Sequence, residues 1–174
     1  MSRDLFAREA LAQIPKLLTL LDRNPHSPTY GCFDRNYWQY KIIDFPSGMA
    51  QEFCWPLALA HATALPGNLF HGMEAIRDWV RASVAFAAAS SHRDGSCDDY
   101  FPYERAGGAA AFSLLAMTES CELMGIREPE LDAFLARRAD WLAHHVESGR
   151  LTNHQALIVL CLERLGRRLR SDRW

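Results

Sequence analysis

The chain has 174 residues, 49% of them hydrophobic and 23% charged, which is enough apolar surface to bury the core of one domain and too much for a disordered chain. A formal net charge of -2 excludes the basic excess that phosphate-binding surfaces use, so nucleic acid is not expected as a partner. The five cysteines, Cys32, Cys54, Cys97, Cys121 and Cys161, form no C-x-x-C pair and read as reduced thiols.

Met1 to Glu9 alternates charged and apolar residues without the continuous apolar core of an export signal. No segment approaches the roughly 20 apolar residues that span a bilayer. The sequence therefore predicts a cytoplasmic chain with no membrane partner. From Leu5 to Leu21 the apolar positions recur at helical spacing and predict an amphipathic first helix, kinked at Pro15. Residues 24–46 carry three prolines, one glycine and six aromatic rings without periodicity, and read as a long loop. Met49 to Ala64 resumes helical character, with a distortion at Pro56, and Leu65-Pro66-Gly67 ends it. Asn68 is the expected N-cap of a third helix that reaches Ala89 and buries Met73, Ile76, Val80, Val84 and Ala87.

Residues 90–105 form a second polar and aromatic loop. Ala106 to Met124 is a fourth helix closed by Gly125. Pro129 opens a fifth, with Leu131, Phe134, Leu135, Leu142 and Val146 as its apolar stripe and Gly149 after its end. Thr152 starts a sixth, where the Thr152-x-x-Gln155 spacing predicts a capping box. The basic tail from Arg164 to Arg173 reads as a solvated helix end. The expected architecture is all-α: serial antiparallel helical hairpins, about six main helices, in a single domain over 1–174.

Candidate chemistry concentrates in the loops. In the first, Tyr30, Asp34, Arg35, Trp38, Tyr40 and Lys41 interleave rings with both signs of charge. Rings suit the apolar face of a pyranose, and the charged groups suit its hydroxyls or a uronic carboxylate. The competing reading is that the rings anchor a long loop while the charges pair with one another. The second loop places Asp98, Asp99, Tyr100, Tyr103, Glu104 and Arg105 within a few residues. Two carboxylates held apart can act as general acid and base on a glycosidic bond, and a tyrosine beside an arginine can move a proton. A turn at Asp94-Gly95 followed by an acidic helix start explains the same residues without chemistry. At the sixth helix start, Asn153 and His154 stand where an anion or a proton could be handled. The seven histidines show no zinc spacing, and there is no phosphate loop or nucleophile elbow, so neither a metal nor a cofactor is expected.

The run from Asp94 to Arg105, the helix after it, and Thr152-Asn-His-Gln-Ala156 with its helix resemble segments of α/α-toroid proteins of bacterial polysaccharides, the heparinase II/III-like lyases among them. The resemblance spans Asp94 to Leu165. It implies helical hairpins arranged as part of a ring, with substrate held by the loops at one end. It also implies that Asn153 and His154 neutralise a uronic carboxylate and assist proton abstraction. Either Tyr100 or Tyr103 could supply the tyrosine of such a site, since the motif order leaves this open. The full lyases continue into a larger toroid and a β-sandwich, so a chain of this length reads as a truncated relative, an inactive remnant or a subunit that completes its ring with further copies, and self-association is expected. The functional expectation is a protein of polysaccharide metabolism that binds or cleaves an acidic oligo- or polysaccharide, as a lyase or as a hydrolase. The alternative is a non-catalytic module that binds a glycan or a protein.

Overall fold

The computed structural model describes residues 3–146, 149 and 151–174, with side chains for all of these except Arg3 and Asp4. Met1 and Ser2, where the segment read for an export signal begins, lie outside the described residues. Seven α-helices and no strand are found among them: α1 (Arg3–Leu20), α2 (Arg35–Trp38), α3 (Cys54–Ala62), α4 (Glu74–Ser90), α5 (Gly107–Leu123), α6 (Pro129–His144) and α7 (Thr152–Leu169). A 3-10 turn, Met49–Phe53, leads directly into α3.

The helices differ in how they meet water. Apolar residues on α4 and α7 gather on one side, so each buries one face. On α5 they lie all round, and the run Gly107 to Ala111 is buried, because small side chains let neighbouring helices close on it from several directions. α5 accordingly touches α3, α6 and α7, and one set of buried residues runs from Ile14 of α1 to Leu165 of α7.

Pairings between side chains give the relative directions. His154 packs against Gly108, the Cys161 thiol donates to the Ala111 carbonyl at 3.1 Å, and Arg164 and Arg168 bond Glu119 and Glu122, so α5 and α7 run the same way. Gly48 bonds Asp98, and Cys54 lies 3.4 Å from Ser120, so the segment through α3 runs that way too. Arg81 reaches Glu128 and Ser91 reaches Arg138, which makes α4 and α6 parallel to each other. Arg138 bonds Ser113 while His145 packs on Gly107, so α6 runs against α5. The consequence for function is that the starts of the 3-10 turn, α5 and α7 and the ends of α1, α4 and α6 share one end, and both long loops reach it.

α1 continues as one helix through Pro15. Several local expectations are corrected. The first loop contains the short α2, capped by Asp34. Asn68 caps nothing: its amide donates to the Ala60 and Thr63 carbonyls at 2.7 Å each and fastens the end of α3, while α4 begins later, after Met73. At α7 the N-cap is Leu151, with no side-chain cap bond, so the capping box does not form. The basic tail is a solvated end only in part: Arg167 and Arg173 stay exposed in their ion pairs, whereas Arg168 is buried between Glu122 and Asp132. The end of α5, before Gly125, and the start of α6, at Pro129, fall as the sequence predicts. No described helix is long and apolar enough to cross a membrane.

The first loop closes on α4 at Gly31, whose φ of +93° favours glycine and whose added Cβ would run into the Ala82 backbone. Gly67 also has positive φ, at +78°, but faces open space. In urea titrations Gly31→Ala is expected to cost about 3 kcal/mol or more, and Gly67→Ala about 1 kcal/mol. Equal losses would contradict the close approach.

Candidate functional site

The first loop is held from beneath by polar groups. Buried Gln51 accepts the Phe33 N–H at 3.0 Å and donates to the Gly31 and Ser83 carbonyls, replacing the ladder bonds that an irregular chain lacks. The Asp34 carboxylate accepts the N–H groups of Asn36 at 3.1 Å and Ser47 at 2.9 Å, joining both ends of the segment that carries the rings. The Trp38 indole donates to the Leu20 carbonyl at 2.7 Å.

The second loop is rooted on α6. The guanidinium of Arg138, only 1% exposed, donates to the Gly95 carbonyl at 2.8 Å and to the Ser113 and Ser91 hydroxyls at 2.7 Å each, and lies over the Phe134 ring. It has no carboxylate partner among the described residues, and burial pulls its pKa down. Gly95 is required here, since a Cβ would meet the Arg138 backbone nitrogen at 2.6 Å. Further along, Asp98 accepts from His92 Nε2 at 2.8 Å and from the backbone N–H groups of Tyr103 and Arg105 at 2.8 and 3.0 Å. These bonds hold Tyr103 and Arg105 in left-handed conformations, φ +64° and +54°, which non-glycine residues adopt only when constrained. Burial alone would raise the pKa of Asp98, but the His92 and backbone bonds outweigh it and the net shift is downward. One Glu104 oxygen collects the N–H groups of Asp99, Tyr100 and Phe101.

The loops meet. Ser47 donates its hydroxyl to Asp99, and the Gly48 N–H donates to the Asp98 carbonyl at 2.7 Å. A cleft of about 610 Å³ opens at this junction. Of the residues singled out from sequence, it brings together Asp34, Arg35, Tyr40, Asp99 and Tyr100, with Tyr40 54% and Tyr100 77% exposed at its rim. Arg35 lies over the Tyr40 ring, 5.1 Å from its centroid. Glu52, which the sequence reading passed over, lines the same cleft, and burial followed by the Asp99 charge pushes its pKa up.

The other candidates are elsewhere. Trp38 and Lys41 line a separate cleft on the far side of Ile43. Tyr30 sits near Asp78 and Arg81 of α4, in neither cleft. Asp98 spends both oxygens on its own loop and Glu104 spends one, and neither residue lines a cleft. Tyr103 is exposed and stacks on His92 at 6.1 Å, and Arg105 pairs with Asp94. His154, the third residue of α7, lies against Gly108 near the start of α5 and edge-on to Phe112, but lines neither cleft; Asn153 beside it is exposed.

The five cysteines are free and buried, and burial pushes Cys32, Cys54 and Cys161 up to about 12, so none is a ready nucleophile. Among the described residues no group of three or more His, Cys, Asp or Glu side chains is placed to hold a metal. Two signals for the missed residues were present. Glu52 is the one charged residue between Met49 and Thr63, and Arg138 falls on the same face as Leu131, Phe134, Leu135 and Leu142. Comparison with protein-family models, curated proteins and solved structures returns no match.

Replacing Asp98 by Asn turns an amide donor toward a site that receives three N–H groups, and should cost about 1 to 3 kcal/mol. Because the folded-state pKa is lowered, its contribution is full above the unfolded value and is lost as pH falls through the folded one. Urea unfolding from neutral to acid pH should show the gap between wild type and Asp98→Asn narrowing as pH drops. A gap independent of pH would contradict the assignment.

Proposed function

We propose that the chain is a helical protein of polysaccharide metabolism that takes an acidic glycan into the cleft between its two loops. The observation that carries this reading is the composition of that cleft: exposed rings of Tyr40 and Tyr100 at the rim, Arg35 beside them, and the carboxylates of Glu52 and Asp99 within. Aromatic faces pack on pyranose C–H surfaces, carboxylates accept pairs of hydroxyls, and a guanidinium can pair with a uronic carboxylate. The helix order supports the wider reading. The adjacent, parallel α3, α5 and α7, with α4 and α6 packed behind them, suit serial hairpins forming part of an α/α toroid whose substrate end carries the loops.

Two versions follow from the same cleft. As a recognition module it binds without turnover. As a hydrolase it would use Glu52 as the acid and Asp99 as its partner, since Glu52 is raised by burial and by Asp99 itself, as suits a proton donor. The lyase version, with His154 and Asn153, rests on the resemblance, because His154 stands outside this cleft.

Titrating polyuronates into wild type and Tyr100→Ala should show weakening by roughly fivefold or more, the loss of one ring contact. Unchanged affinity removes the cleft from the account. An unsaturated, ultraviolet-absorbing product indicates a lyase, new reducing ends lost in Glu52→Gln a hydrolase, and neither a module.

An incomplete ring leaves an apolar edge, and Val159 and Leu160 stand 67% and 44% exposed on α7. Light scattering is expected to find a species larger than the 19.7 kDa chain. A strict monomer at high concentration would contradict self-association.

A further inference from the structure

The first loop walls a second cleft that the proposed function leaves unused. It measures about 560 Å³ and lies across Ile43 from the two-loop cleft. Trp38, Tyr37 and Phe86 form its apolar wall, the last two with ring centroids 6.5 Å apart. Its charged groups are Lys41 and Asp44. Among the described residues Lys41 makes no hydrogen bond or ion pair, and its backbone is left-handed, with φ +53°. The chain thus holds a lysine in a costly conformation beside a concave aromatic surface, with no ion pair to its ammonium among the described residues although Asp44 shares the lining. The Thr29 hydroxyl, also in the lining, donates to Asp22 at 2.7 Å and therefore accepts from the Ser27 hydroxyl at 2.9 Å, which leaves it one lone pair for a ligand hydroxyl.

These features select among anions. Phosphate sites converge several donors, whereas this cleft offers one ammonium, and the Asp44 carboxylate disfavours a second negative charge. The aromatic wall calls for an apolar ring face on the same molecule. The space suits a small ring rather than a bare ion.

We propose that this cleft is a subsite for a single uronate unit, with the sugar carboxylate on the Lys41 ammonium and the ring against Trp38. It extends the binding surface of the two-loop cleft across Ile43, and for the identity of its ligand it rests on the glycan reading given above.

The test is an NMR titration with the methyl glycoside of glucuronate and, separately, methyl glucoside, following the Trp38 indole N–H and the Tyr100 amide. Wild type should show the Trp38 signal moving with the uronate and hardly with the neutral sugar. Lys41→Gln should weaken the uronate by roughly fivefold or more and remove the preference, Lys41→Arg should restore it, and Arg93→Gln, a surface charge outside both clefts, should change nothing. Equal response to the two sugars, or a Lys41→Gln variant that binds as wild type, overturns the subsite. Movement of Tyr100 alone rejects this cleft and leaves the two-loop reading standing. Movement of neither signal rejects both.

Discussion

A guanidinium buried without a carboxylate beside it is stable only while its N–H groups find oxygens, and Arg138 meets that condition by drawing three segments together. The Gly95 carbonyl brings in the second loop, Ser91 the end of α4, and Ser113 the start of α5. From this root the order spreads outward by the same rule. Asp98 satisfies the N–H groups of Tyr103 and Arg105, Glu104 those of Asp99 to Phe101, and the Asp98 carbonyl takes the N–H of Gly48. Gln51 and Asp34 do the corresponding work under the first loop. Two irregular segments become a defined surface because their backbone groups are answered by side chains instead of by a helix or sheet.

That construction divides the charged residues by role. Asp98, Glu104 and Asp34 are acceptors turned toward backbone, so their charge holds shape. Glu52 and Asp99 face the cleft, and their mutual repulsion adds to the burial that raises Glu52. Arg35 and Lys41 stand on the two sides of Ile43, each beside aromatic rings. A ligand with an apolar face, hydroxyls and separated carboxylates complements such a surface better than a compact anion would.

Local patterns carried the fold further than the site. Helical periodicity, Pro129 at a first turn and Gly125 after a last one depend on near neighbours, and those elements fall where expected. Asn68 and Thr152 carried equally local signatures that tertiary demands overrode: Asn68 was drawn to the end of the preceding helix, and Thr152 came to lie inside the one it was expected to cap. The burial of Arg168 was hidden because its partners, Glu122 and Asp132, are far away in sequence, as is Glu119, the partner of Arg164. The loops themselves were visible through their length and rings. Which of their carboxylates line the cleft was not, because Asp98, Asp99 and Glu104 differ only in what they meet in the folded chain.

The central claim is that the two loops form one ligand-binding surface at a common end of the helices. Backbone hydrogen exchange with and without an acidic oligosaccharide tests it most directly. The account predicts slowed exchange in residues 34–47 and 94–105 together, with the helix cores unchanged. Protection confined to the start of α7, or to one loop with the other unaffected, would contradict it.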